Sequence, residues 1–163
     1  MTVFVSWSGD VSKVLAEGFP RFLKGILPFT KPFFSPGIES GTRWSEKIDR
    51  ALRESSYAIV LPTSDNLSSP WLHFEAGSVS KTIARARKGT RTRQPKVVPI
   101  RFDVAEDQMS GPLKAFQSRE WSRDGTRKLV SEIYNAAPDK SRPISIMSKF
   151  RRILMPIGRS WIR

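Results

Sequence analysis

Thr2-Val3-Phe4-Val5-Ser6-Trp7, followed by Ser8-Gly9-Asp10, is a short apolar run that stops at turn residues. A run of that length with that ending predicts a buried strand. Over residues 11–27 the period changes: Val14, Leu15, Phe19, Phe22, Leu23 and Ile26 fall on one helical stripe, and Pro20 predicts a kink in it. The alternation then repeats. Lys31-Pro32-Phe33-Phe34 predicts a second strand. Residues 35–41, with Pro36, Gly37 and Gly41, form a loop too long for a tight hairpin and therefore a candidate functional loop. Residues 44–55 carry Trp44, Ile48, Ala51 and Leu52 on one side of an amphipathic helix, and Tyr57-Ala58-Ile59-Val60-Leu61-Pro62 predicts a third strand. Ser69-Pro70 then provides a cap and a first helical residue, since Pro at that position forfeits no bond. A fourth strand is expected over 96–102, mostly loop over 103–114, a short fifth strand within 115–121, and a helix over 126–136 with Leu129, Ile133 and Tyr134 inward.

Strands alternating with helices imply an α/β fold, a parallel sheet with helices on both faces. With five strands in the flavodoxin-like order 2-1-3-4-5, a ligand binds beyond the carboxyl ends of the strands where the order reverses, between the first and the third. The residues expected there are Ser6-Trp7-Ser8-Gly9 and Thr63-Ser64-Asp65, overhung by the loop after the second strand.

Composition narrows the chemistry. The chain has 163 residues with no Cys and a single His, so disulfides, thiolate metal sites and His-rich zinc sites are excluded. No metal site is expected. No run of about 18 apolar residues occurs, and the start lacks a basic-then-apolar secretion pattern, which together point to a cytoplasmic protein. The net charge of +13 is concentrated: residues 81–101 hold eight basic and no acidic groups, and residues 138–163 seven basic against one acidic. Residues 1–80 and 102–137 are close to neutral, so the charge is local to a linker-like stretch and the tail, and neither nucleic acid nor a membrane is expected as a partner. In the tail, residues 138–163, Met147, Phe150, Leu154, Ile157 and Trp161 recur at helical spacing among basic residues, with Pro156 interrupting. This basic amphipathic segment is expected to pack on the domain or on a partner.

One residue stands out against this background. Trp71-Leu72-His73-Phe74-Glu75 sets an acid inside an otherwise apolar stretch, one helical turn after Trp71. Glu is rarely buried without a partner or a task. The topology brings this carboxylate, early in the helix after strand three, close to the expected crevice.

Three segments in order around this framework resemble the Toll/interleukin-1 receptor (TIR) domain, in particular the bacterial NAD-cleaving type of antiphage defence. They are Val3-Phe4-Val5-Ser6-Trp7-Ser8-Gly9, then Phe33-Phe34-Ser35-Pro36-Gly37-Ile38-Glu39-Ser40-Gly41-Thr42-Arg43-Trp44, where that family has its mobile BB loop, and Trp71-Leu72-His73-Phe74-Glu75-Ala76-Gly77-Ser78-Val79-Ser80-Lys81. The resemblance spans residues 2–136. It implies a flavodoxin-like TIR fold over residues 1–137, Glu75 as the catalytic residue, and dinucleotide contacts among Ser6, Trp7 and Ser8. NAD+ is then a substrate rather than a cofactor, in keeping with the lack of any G-x-G-x-x-G. Phe33, Trp44 and Trp7 are candidates to stack on its rings, Trp71 shares the face of Glu75, and Arg43 can pair with the pyrophosphate.

The resemblance further implies self-association through TIR–TIR contacts and activation by a sensor outside this chain. Nicotinamide is already a cationic leaving group, so one carboxylate that stabilises positive charge on the ribose suffices. Water would then give ADP-ribose, and an internal nucleophile a cyclic isomer. The alternative reading is a catalytically silent TIR module that acts as a signalling scaffold.

Overall fold

The computed structural model describes residues 1–34, 55–69 and 96–138. Their elements are β1 (Thr2–Ser6), α1 (Asp10–Ile26), β2 (Lys31–Phe34), β3 (Tyr57–Val60), β4 (Lys96–Arg101), a 3₁₀ helix (Gly111–Ala115), β5 (Arg119–Glu120) and α2 (Arg123–Ala136). The five strands form one parallel sheet in the order β2-β1-β3-β4-β5. This is the expected topology, and it places the reversal of strand order at β1 and β3.

Alternation along the strands divides the core. Val3 and Val5 of β1 face one side, where Ile59, Val98 and Ile100 meet Ala16, Phe19, Leu23 and Ile26 of α1 and Leu129, Val130 and Ile133 of α2. Phe4 faces the other side with Ala58, Val60, Val97, Val104, Met109 and Leu113. Each large side chain buried this way contributes about 1.5–3 kcal/mol. Both faces of β1 and β3 are covered, which is why these strands read as continuous apolar runs.

Several expectations need correction. The strands end earlier than their apolar runs: β1 stops at Ser6, before Trp7, β3 at Val60 and β4 at Arg101. Val14, assigned to the inward stripe of the first helix, is 69% exposed. The buried positions are Ser12, Ala16, Phe19, Leu23 and Ile26, a stripe that uses a small polar residue where the helix nears the β1 turn. Pro20 lies inside α1, which continues to Ile26. The stretch expected to be loop contains the 3₁₀ helix, whose Leu113 is fully buried. The helix expected over 126–136 begins at Arg123, because the Ser122 side chain accepts a bond from Gly125 N. The helices expected over 44–55 and after Ser69-Pro70 lie outside the described residues, as does the tail beyond Pro138. No helix among the described residues is long and apolar enough to cross a membrane.

Candidate functional site

At the carboxyl ends of β1 and β3, short polar residues join two turns. Gly9 caps α1 with φ of 85°, in the left-handed region where a side chain is strained. An added Cβ would stand 2.7 Å from Asp65 Oδ2, so the turn after β3 lies directly against the turn after β1. Ser8 N donates to Ser12 Oγ at 2.9 Å, and Ser12 Oγ donates back to Ser8 O at 2.5 Å. These two bonds fasten the turn to α1.

Asn66 joins this turn to β3. It is 2% exposed, and its Nδ2 donates to Ser8 O at 2.8 Å and to Leu61 O at 3.0 Å. Its Oδ1 accepts from Thr63 N at 2.9 Å. Ser8 Oγ and Ser69 Oγ share a hydrogen bond of 2.8 Å. Thr63 Oγ1 donates to Asp65 Oδ1, and the loop is tied to β4 by Ser64, whose N–H and hydroxyl both donate to Asp103. The Ser64 hydroxyl foremost holds the Asp103 carboxyl below its ordinary value, against the opposing effect of desolvation and with lesser help from the Ser64 N–H.

Of the residues expected to bind the dinucleotide or to act on it, Ser6, Trp7, Ser8 and Phe33 lie among the described ones. Ser6 ends β1, is 1% exposed, and its hydroxyl has no hydrogen-bond partner among the described residues. Strand alternation puts it on the face of Phe4. Phe33 is on that same face, stacked on Phe4 at 6.1 Å and 47% exposed. Trp7 packs against the opposite core, with Lys13 Nζ 6.0 Å from its ring centroid. The sheet therefore separates Trp7 from Phe33. Ser8 sits in the turn after β1, with its hydroxyl engaged by Ser69. Arg43, Trp44, Trp71 and Glu75 lie outside the described residues.

Asn66 has no role in the sequence reading, and Ser69 enters it only as a helix cap; the structure places both in the joined turns. The signal was the density of Ser, Thr, Asn and Asp over residues 63–69 opposite Ser6-Trp7-Ser8-Gly9, more short polar side chains than a connection needs. Among the described residues no group of three His, Asp or Glu could hold a metal ion.

The sequence profile of the family described as TIR domain matches residues 3–133. No curated protein sequence matches the chain significantly. A solved structure similar to it is that of the TIR domains in the activated Roq1 resistosome directly recognizing the pathogen effector XopQ. It is 18% identical, with 94% of this chain and 80% of that chain covered and a TM-score of 0.46.

Proposed function

Since the chain belongs to the TIR domain family, we propose that it is an NAD+ glycohydrolase that releases nicotinamide and leaves ADP-ribose or a cyclic isomer. In this reading Glu75 is the catalytic carboxylate, assembly of TIR domains activates it, and the setting is bacterial antiphage defence. The observation that carries the reading is the joined pair of turns at the strand-order reversal. Its Ser69 is hydrogen-bonded to Ser8 of the turn after β1 and precedes Glu75 by six positions in the sequence.

The chemistry needs one fixed anion. As the bond to nicotinamide lengthens, positive charge grows on the ribose, and a carboxylate facing that ring in a site closed to water stabilises it more than it stabilises the bound substrate. Ser6 supports this arrangement. Its buried hydroxyl has no hydrogen-bond partner among the described residues, and a substrate hydroxyl or amide reaching the end of β1 would supply one. Phe33, half exposed on the same face, offers a ring for stacking.

Incubating the assembled full chain with NAD+ and following nicotinamide release tests the proposal. Release with matching loss of NAD+ is expected. No release in samples shown to be assembled favours the silent scaffold.

A further inference from the structure

We propose that Asn66 is a positioning residue: with the Ser8–Ser69 hydrogen bond, it fixes the backbone leading into residues 71–75 against the turn after β1. The inference rests on the reading of Glu75 as the catalytic carboxylate.

Asn66 leaves no polar group idle. Its main-chain N donates to Thr63 O at 3.1 Å and its main-chain O accepts from Ser69 N at 2.8 Å. Its side chain holds Ser8 O, Leu61 O and Thr63 N, as described above. One buried residue thus binds the end of β3, the turn after β1, and Ser69. Ser69 is gripped twice, through its N–H by Asn66 and through its hydroxyl by Ser8. Ser8 is immobilised in turn, because its carbonyl receives both Ser12 Oγ and Asn66 Nδ2.

A turn that merely closed the chain after β3 would need only the bonds between residues 63, 66 and 69. The bonds to Ser8 cross 58 and 61 positions of sequence and fall between the two strands where the order reverses. Their effect is to set where the segment after Ser69 departs. Displacing a reacting group by about 1 Å can cost a hundredfold in rate, so the start of that segment is a place where small shifts matter.

The test is a double-mutant cycle in the full chain with NAD+ as substrate. Ser8→Ala and Ser69→Ala each remove one half of the shared bond, and Asn66→Ala removes the carboxamide. Each serine variant is expected to lower kcat by about tenfold with KM changed less than twofold, and the double variant to lose no more than either alone. Should Asn66→Ala fold poorly, the serine cycle still decides. Hydrogen exchange provides a second readout, with amides of residues 69–76 exchanging faster in all three variants and those of α1 and β3 unchanged.

Serine losses that multiply, a Ser8→Ala defect seen only in KM, or wild-type kcat in both would overturn the proposal. If Glu75→Gln abolishes cleavage while the serine variants keep full kcat, the positioning role falls and the proposed function stands. If the wild-type chain cleaves no NAD+, the proposed function falls, and the exchange pattern alone then supports or overturns the fixing of this segment.

Discussion

Gly9 and Gly125 exclude a side chain for different reasons, and the difference is measurable. At Gly9 the obstacle is backbone conformation together with the movable end of Asp65; at Gly125 an added Cβ would stand 2.0 Å from the main-chain oxygen of Glu120, which cannot step aside. Gly9→Ala should therefore cost about 1–2 kcal/mol, and Gly125→Ala about 3 kcal/mol or more. Urea midpoints of the two variants check the order, and Asp65→Ala added to Gly9→Ala should recover only part of its loss. Equal midpoints would show that the chain relaxes around Gly125. At this scale legibility was uneven. Glu75 stands out in the sequence because an acid in an apolar stretch breaks a local pattern, but it lies outside the described residues. Ser8 is expected at the strand ends, but nothing in the sequence pairs it with Ser69 or marks Asn66. Bonds between groups about sixty positions apart leave no periodicity to read.

Among the elements, α2 shows how a cap overrides a composition signal. Asp124-Gly125 reads as a turn, which delays the expected start to Thr126, but Ser122 accepts from Gly125 N and the helix opens at Arg123. Ser122→Ala should cost about 1 kcal/mol by thermal melting; no change would mean that packing alone holds this end. The turns after β3 and β4 carry a pH signature. The bonds from Ser64 lower the Asp103 carboxyl below 3.8, so their contribution to stability is complete well above that pH and is lost as pH falls through the lower folded value. The stability gap between wild type and Asp103→Asn should be constant near neutral pH and close below about 3.8; a gap that ignores pH refutes the linkage. The strands themselves were legible, because burial on both faces writes an unbroken apolar run. Their ends were not, since Trp7 and Phe102 continue the apolar character after the sheet bonding stops and pack as flanking aromatics.

For the whole molecule, the alternation of strand and helix predicts a parallel sheet, because parallel neighbours require crossovers, whereas the order 2-1-3-4-5 is one of several doubly wound orders and rests on the flavodoxin-like resemblance. What the pattern could not reveal was that Trp7 and Phe33 occupy opposite faces, since that depends on where β1 ends. The functional account adds a dependence on assembly. The sequence places the loop over residues 35–43 beside the strand ends, and in the proposed function contacts between this loop and a second TIR domain complete the site, offsetting the entropy cost of holding it there. Nicotinamide release per chain should then rise steeply with protein concentration across a dilution series followed by size exclusion, and bulky substitutions at Gly37 or Gly41 should lower it without unfolding the domain. Full activity in a sample that stays monomeric would contradict this. The central claim, a single carboxylate as the catalyst of NAD+ cleavage, is tested most directly by comparing nicotinamide release from wild type and Glu75→Gln at equal, assembled concentration. The account predicts a loss of at least about a hundredfold in rate with unchanged circular dichroism and melting, and near wild-type turnover in the Gln variant would contradict it.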